Sequence, residues 1–208
     1  MKNRGENLRY RLFLLVIVLL FWLWSVINVQ DTYLTWFLET VPVMIVLPIL
    51  LLTYQRFPLT NLTYTIIAIH AMILMYGGHY SYAKAPLGFW MEQWFGWTRN
   101  NYDKIGHFTQ GFIPAIWGRE ILIRLKVVKN SGWLNFLLVA SILGFSAFYE
   151  FVEWWVSLLS GEAGDAFLGT QGYIWDTQSD MLYCFIGAIL ALLLLSKIHD
   201  RAIKSIRS

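Results

Sequence analysis

Asp103 and His107 stand four residues apart in "DKIGHFTQGF". Glu150 and Glu153 stand three apart in "FYEFVEWW", and Asp176 and Asp180 four apart in "YIWDTQSD". On a helix, spacings of three and four bring two side chains onto one face, so each pair can present two groups to a common point. His79, in "YGGHY", adds a further group. Imidazole and carboxylate donors in this mixture suit a divalent metal such as Zn²⁺, Mn²⁺ or Mg²⁺, with His79, His107, Glu150, Glu153, Asp176 and Asp180 as the candidate ligands. The same groups suit proton-transfer catalysis, in which Asp103 orients His107 as the base and Glu150 is a second proton-carrying group. Hydrogen-bonding glue between helices is the plainer alternative, and Asp176 could simply cap a helix.

The elements that must carry these residues are apolar helices. Of the 208 residues, 57% are hydrophobic and only 14% are charged, where a soluble domain carries about a quarter charged residues. Six apolar segments, at approximately 10–28, 36–54, 62–80, 103–125, 133–159 and 178–196, each approach the ~20 residues that cross ~30 Å of hydrocarbon. No alternating strand pattern is present, and a backbone in lipid must satisfy its own hydrogen bonds, so the fold class is an all-α integral membrane protein built as a six-helix bundle. No repeat, low-complexity tract or linker divides the chain, which reads as one multi-pass domain over 1–208. The opening "MKNRGENLRYRLFLLVIVLLFWLW" has the basic start and apolar core of a signal peptide. It lacks a small-x-small cleavage site, and it reads as an uncleaved first helix. The single cysteine, Cys184, excludes a disulfide framework and reads as a packing residue.

Lys and Arg set the orientation. With both termini cytoplasmic, thirteen basic residues fall inside and three, Lys84, Arg99 and Lys104, fall outside. Ten of the thirteen carboxylates fall outside, so the acidic excess there needs another cause. His79 and the three pairs all lie within roughly 10–15 Å of the outer surface at 1.5 Å per residue. Four helices thus bring His and carboxylate groups to one depth. Ionised groups at that depth cost a few kcal/mol each unless they pair, bind a cation or meet water.

The remaining polar residues read more simply. Lys104 is expected to snorkel to the surface, His70 to be a satisfied packing histidine, and His199 to belong to a solvated tail. An ion pair with Arg124, four residues on, accounts for Glu120. No inner counterpart to the outer polar layer is expected. Residues 81–102, rich in Trp and Phe, read as an amphipathic segment on the membrane surface, able to act as a lid. Residues 161–175 carry four glycines but no GxxxxGK[ST], so a phosphate-binding loop is rejected. No basic stripe runs along one face, so nucleic acid is not a partner; membrane lipids are.

The strings "GGHYSYAKAPLGFW", "YDKIGHFTQGF", "FYEFVEWW" and "GTQGYIWDTQSD" resemble those of the bacterial YjdF-like family of inner-membrane proteins, over nearly the whole chain. The resemblance implies a multi-pass protein of the bacterial inner membrane and no defined reaction. Over helices four to six, Asp103, Lys104, His107, Phe108, Glu150, Asp176 and Asp180 also follow the order seen in VanZ-like membrane proteins, which are linked to glycopeptide tolerance. Glu153 stands where that pattern has Gln, and its Arg before the last acidic pair is missing. The chemistry therefore points to a membrane enzyme, with or without a divalent metal, acting on a lipid or lipid-linked substrate. The alternatives are a proton-coupled carrier and a structural or assembly factor. Reporter fusions at residues 88, 165 and the C-terminus test the topology: the first two should report the periplasm, and a periplasm-dependent reporter active at the C-terminus would overturn it.

Overall fold

A computed structural model describes residues 2–128, 131–160 and 171–207. Seven α-helices form within them, and no strand: α1 (Lys2–Val26), α2 (Tyr33–Thr53), α3 (Asn61–Tyr80), α4 (Pro86–Phe95), α5 (Tyr102–Arg124), α6 (Ser131–Ser160) and α7 (Asp176–Arg207). Residues 161–170 of the glycine-rich segment lie outside the described residues. Local chemistry sets several boundaries. Thr32 and Thr60 cap α2 and α3 by accepting the N–H groups of Thr35 and Thr63. Pro86 sits at the first turn of α4, and Gly96 ends that helix in the left-handed region at φ 66°.

Five helices, α1, α2, α3, α6 and α7, are long and apolar enough to cross a membrane. The six-segment expectation differs from this at α5. With 23 residues α5 is long enough, but it carries Asp103, Lys104, His107, Arg119 and Glu120. The expected surface segment 81–102 is divided into a short 3₁₀ turn, Tyr82–Lys84, and α4. The exposed Phe89, Trp90 and Trp94 of α4 give it an aromatic surface.

The architecture consists of two helix groups joined through α3. α3 packs on α1, α2 and α5, whereas α5, α6 and α7 pack on one another. The α5–α7 contact is the most extensive. Ala115 and Ile116 of α5 meet Cys184, Ala188 and Ala191 of α7, all fully buried, with Leu138 and Ile142 of α6 against them. The backbones themselves touch. A Cβ on Gly111 would overlap the carbonyl oxygen of Cys184, and one on Gly187 would overlap the carbonyl oxygen of Phe108. Small residues permit this approach, which compensates for the weak hydrophobic drive between helices in lipid.

The last helix also departs from its expected span of 178–196. It continues to Arg207, about 48 Å at 1.5 Å per residue for its 32 residues, and this extension buries His199 completely. The residue expected in a solvated tail is therefore part of the interior.

Gly111→Val should push α5 off α7 and lower the melting temperature of detergent-solubilised protein, a loss of about 1–3 kcal/mol. Gly144→Ala is the control: a Cβ there meets nothing within 4 Å, and helix propensity predicts a gain of up to ~1 kcal/mol. Equal melting of both variants would remove the close contact from the account of stability.

Candidate functional site

The first turn of α5 and the first turn of α7 place a cation among carboxylates. Lys104 Nζ donates to Asp176 Oδ1 at 2.7 Å and to Asp180 Oδ1, and reaches Asp103 Oδ2 at 3.4 Å. Lys104 is only 6% exposed. The expectation that it snorkels to the surface is thus overturned, because three carboxylates solvate the ammonium better than the distance to water permits. Lys104 and His107 are three apart, a spacing that could have placed both in the site. Arg99, just before α5, donates to Asp176 Oδ1 at 2.6 Å and lies over the ring of Tyr173 at 4.6 Å. Asp176 is thereby bound by two cations, beyond any role as a helix cap.

His107 extends the cluster toward α6. Its Nε2 lies 3.2 Å from Asp103 Oδ1 and 3.8 Å from Asp180 Oδ1, while Nδ1 faces Glu150 Oε1 at 3.9 Å. That last distance is too long for a hydrogen bond, and neither Nδ1 nor Oε1 has a hydrogen-bond partner among the described residues. Tyr149 meets the imidazole edge-on at 6.5 Å. Asp103, His107 and Asp180 are the set whose donor atoms lie within 4.8 Å of one another. They are the residues able to close on a metal, with Glu150 adjacent.

His79 is placed elsewhere. Its Nδ1–H donates to the carbonyl oxygen of Ser25 at 3.1 Å, and its ring packs on Trp24 and Tyr80 at 4.4 and 4.6 Å. These contacts tie α3 to α1. Glu153 is brought near by α6 but faces a cavity, together with Glu39 of α2. Glu39 is a buried residue that the sequence reading left among the outer carboxylates. As the only charged residue inside α2, it carried a signal of its own, since ionisable groups in apolar helices are rarely idle.

The cavity has a volume of about 460 Å³ and lies between α1 and α2 on one side and α5 and α6 on the other, with α3 contributing. At one end are Glu39, Tyr82, Asp103, His107, Tyr149 and Glu153. From there it runs along Val43, Leu47 and Leu50 to Tyr54 and Arg11, about 22 Å along α2 at 1.5 Å per residue. Tyr82 fits at the polar end because Gly77 and Gly106 leave its ring room. His70 also lines the cavity, and its Nε2 has no partner among the described residues, so it is not the satisfied histidine expected.

A second polar centre, absent from the sequence expectations, lies at the opposite end of α5. Glu120 accepts from Thr60 N at 2.9 Å, Thr63 Oγ1 at 2.6 Å and Arg124 Nη1 at 2.8 Å, with His199 Nε2 at 3.2 Å. Arg119 donates to Asp200 at 2.7 Å. The pair with Arg124 forms as expected but is one contact of several. This centre has partners for both oxygens of its buried carboxylate. The first centre leaves buried polar atoms without one.

The chain is 49% identical over 171 residues to "Inner membrane protein YjdF" of Escherichia coli (strain K12), covering 82% of each chain. No solved structure matches it. A family model described as "Predicted membrane protein (DUF2238)" matches residues 10–201, and with the two similarities in agreement the chain belongs to that family of membrane proteins.

Proposed function

We propose that this is a multi-pass enzyme of the bacterial inner membrane, with α5 as a sixth and more polar span and both termini in the cytoplasm, acting on a lipid or lipid-linked substrate at its outer end. The observation that carries the proposal is the meeting of a long apolar cavity with a buried His/carboxylate cluster whose reactive atoms have no protein partner. Ligand sites are commonly apolar pockets of 300–1,000 Å³ with a few convergent polar groups, and this cavity falls in that range. An apolar wall of about 22 Å suits an alkyl or isoprenoid chain better than a water-soluble metabolite.

In the proposed chemistry His107 is the general base. Asp103 holds one edge of the imidazole, and Glu150 faces the other edge as the group that passes a proton on. Lys104 is the resident cation that makes three aspartates tolerable in one place. That role weighs against a divalent metal at Asp103, His107 and Asp180, because Lys104 already holds the Asp180 oxygen that faces His107 and the second oxygen of Asp103. The lining between the two ends of the cavity is mostly apolar, which favours the enzyme over a proton-relaying carrier. About 26 Å of α5 separates Asp103 from Glu120, and between them Gly111, Ala115 and Ile116 are packed tightly on α7. A packing-glue role fits the Glu120 centre, where both carboxylate oxygens are bonded, better than it fits His107.

Deleting the gene should alter the lipid profile of the cell, and the wild-type chain should restore it. His107→Ala and Glu150→Gln should insert normally, melt within a few degrees of wild type and fail to restore the profile. Membrane glue is worth ~0.6 kcal/mol on average, so active variants of lowered stability would mean packing instead.

Elemental analysis of the same preparations should find no stoichiometric Zn, Mn or Mg in the wild type. Lys104→Met should destabilise it by about 3–5 kcal/mol, the cost of stripping a partner from a buried ion pair. One metal per wild-type chain, lost in His107→Ala, would replace the lysine-based site with a metal centre.

A further inference from the structure

Two carboxyl groups on different walls of the cavity lack a hydrogen-bond or ion-pair partner among the described residues. Glu39 of α2 is 4% exposed and Glu153 of α6 is 8% exposed. Both line the cavity, and neither forms a hydrogen bond or ion pair with another described residue. An ionised carboxyl group left buried in this state is costly, and at Asp176, Asp180 and Glu120 a cation meets that cost. The nearest lysine and arginine do not serve Glu39 and Glu153, and His107 is held by Asp103. Lys104 and Arg99 are committed to Asp176 and Asp180, and neither lines the cavity.

We infer that the cavity binds an amphiphile carrying an ammonium head group on a long alkyl chain, with the head seated between Glu39 and Glu153 and the chain lying along α2 toward Arg11. This inference rests on the lipid-substrate reading above and names its head group. Charge selects the head: Glu39, Asp103 and Glu153 converge at that end, so a carboxylate or phosphate there meets like groups, a hydroxyl can only hydrogen-bond a protonated carboxyl, and an ammonium is the head that lets a buried carboxyl ionise. Charge also selects the direction. At the far end Arg11 is fixed by Asn61 Oδ1, Leu59 O and the rings of Tyr54 and Tyr64, which disfavours an ammonium there. Length selects the tail: the stretch from Glu39 to Tyr54, about 22 Å at 1.5 Å per residue, takes a long alkyl chain end to end. The amine must sit directly on the chain, because a phosphate between tail and ammonium would have to lie in the apolar stretch lined by Val43 and Leu47.

The test is binding of hexadecylamine, hexadecanol and hexadecanoate to the full chain in detergent, followed by native mass spectrometry and by thermal stabilisation. Hexadecylamine should bind at least about tenfold more tightly than the other two, since hydrogen bonds to charged groups contribute ~1.5–3 kcal/mol. Glu39→Gln and Glu153→Gln, close in shape to the native residues, should each erase most of that preference while retaining or raising the unliganded melting temperature. Leu47→Trp should weaken all three ligands by filling the tail channel. Equal binding of the three chains would overturn the ammonium assignment and leave the lipid reading standing. Preferred binding of hexadecanoate, insensitive to Glu39→Gln, would overturn it by placing a head group at Arg11. Failure of every chain to bind, with Leu47→Trp indistinguishable from wild type, would overturn both.

Discussion

The backbone contact between α5 and α7 is the constraint on which the rest of this protein depends. Two glycines, Gly111 and Gly187, let the helices approach until side chain on one would meet carbonyl on the other. In lipid there is little hydrophobic gain from bringing helices together, so dispersion and interhelical polar contacts must supply the attraction. Here both are concentrated on one pair. The glycines set the separation, and the polar residues at each end set the register: Lys104 with Asp176 and Asp180 at one end, Arg119 with Asp200 and His199 with Glu120 at the other. A slip of α7 by one residue would break both ends at once.

That fixed pair explains how so many ionisable groups survive among apolar helices. A charge in hydrocarbon is costly by every scale, and breaking a buried ion pair leaves the surviving partner more costly still. The Glu120 centre answers by bonding both oxygens of its carboxylate, using the cap of α3, the last turn of α5 and the late turns of α7. The Lys104 centre answers only in part. It pairs Asp176 and Asp180, yet leaves His107 Nδ1 and Glu150 Oε1 facing each other without a bond. Two centres built from the same residue types therefore differ in kind. The one whose carboxylate is bonded at both oxygens holds helices together, and the one with His107 Nδ1 and Glu150 Oε1 unbonded retains valence for something that enters.

The cavity follows from the same arrangement. α3 packs against α1 and α2 and against α5, so the two helix groups meet along α3 and leave the apolar channel to one side. The channel ends on the face of α5 that bears Asp103 and His107. A chain-like ligand lying in it would bring its polar end to the groups that lack partners.

Composition and periodicity made the helical membrane class legible, because hydrocarbon permits a spanning chain few structures and each leaves a long apolar segment in the sequence. The i, i+4 and i, i+3 spacing of Asp103/His107 and Glu150/Glu153 was likewise enough to put each pair on one face. Cys184 in an apolar run was readable as packing. What the sequence could not carry was the position of one helix around another. Lys104 and Asp103 are neighbours in sequence, and only the placement of α7 decides that the lysine turns inward to Asp176 and Asp180. Glu39 is a lone charge on α2 until α6 brings Glu153 to the same cavity. His79 looked like a member of the cluster by depth alone, and its azimuth sends it to Ser25 of α1. Depth along a helix is fixed by residue count, at 1.5 Å per residue. Direction around the bundle axis is fixed by interhelical packing, which a single chain's local spacing does not encode.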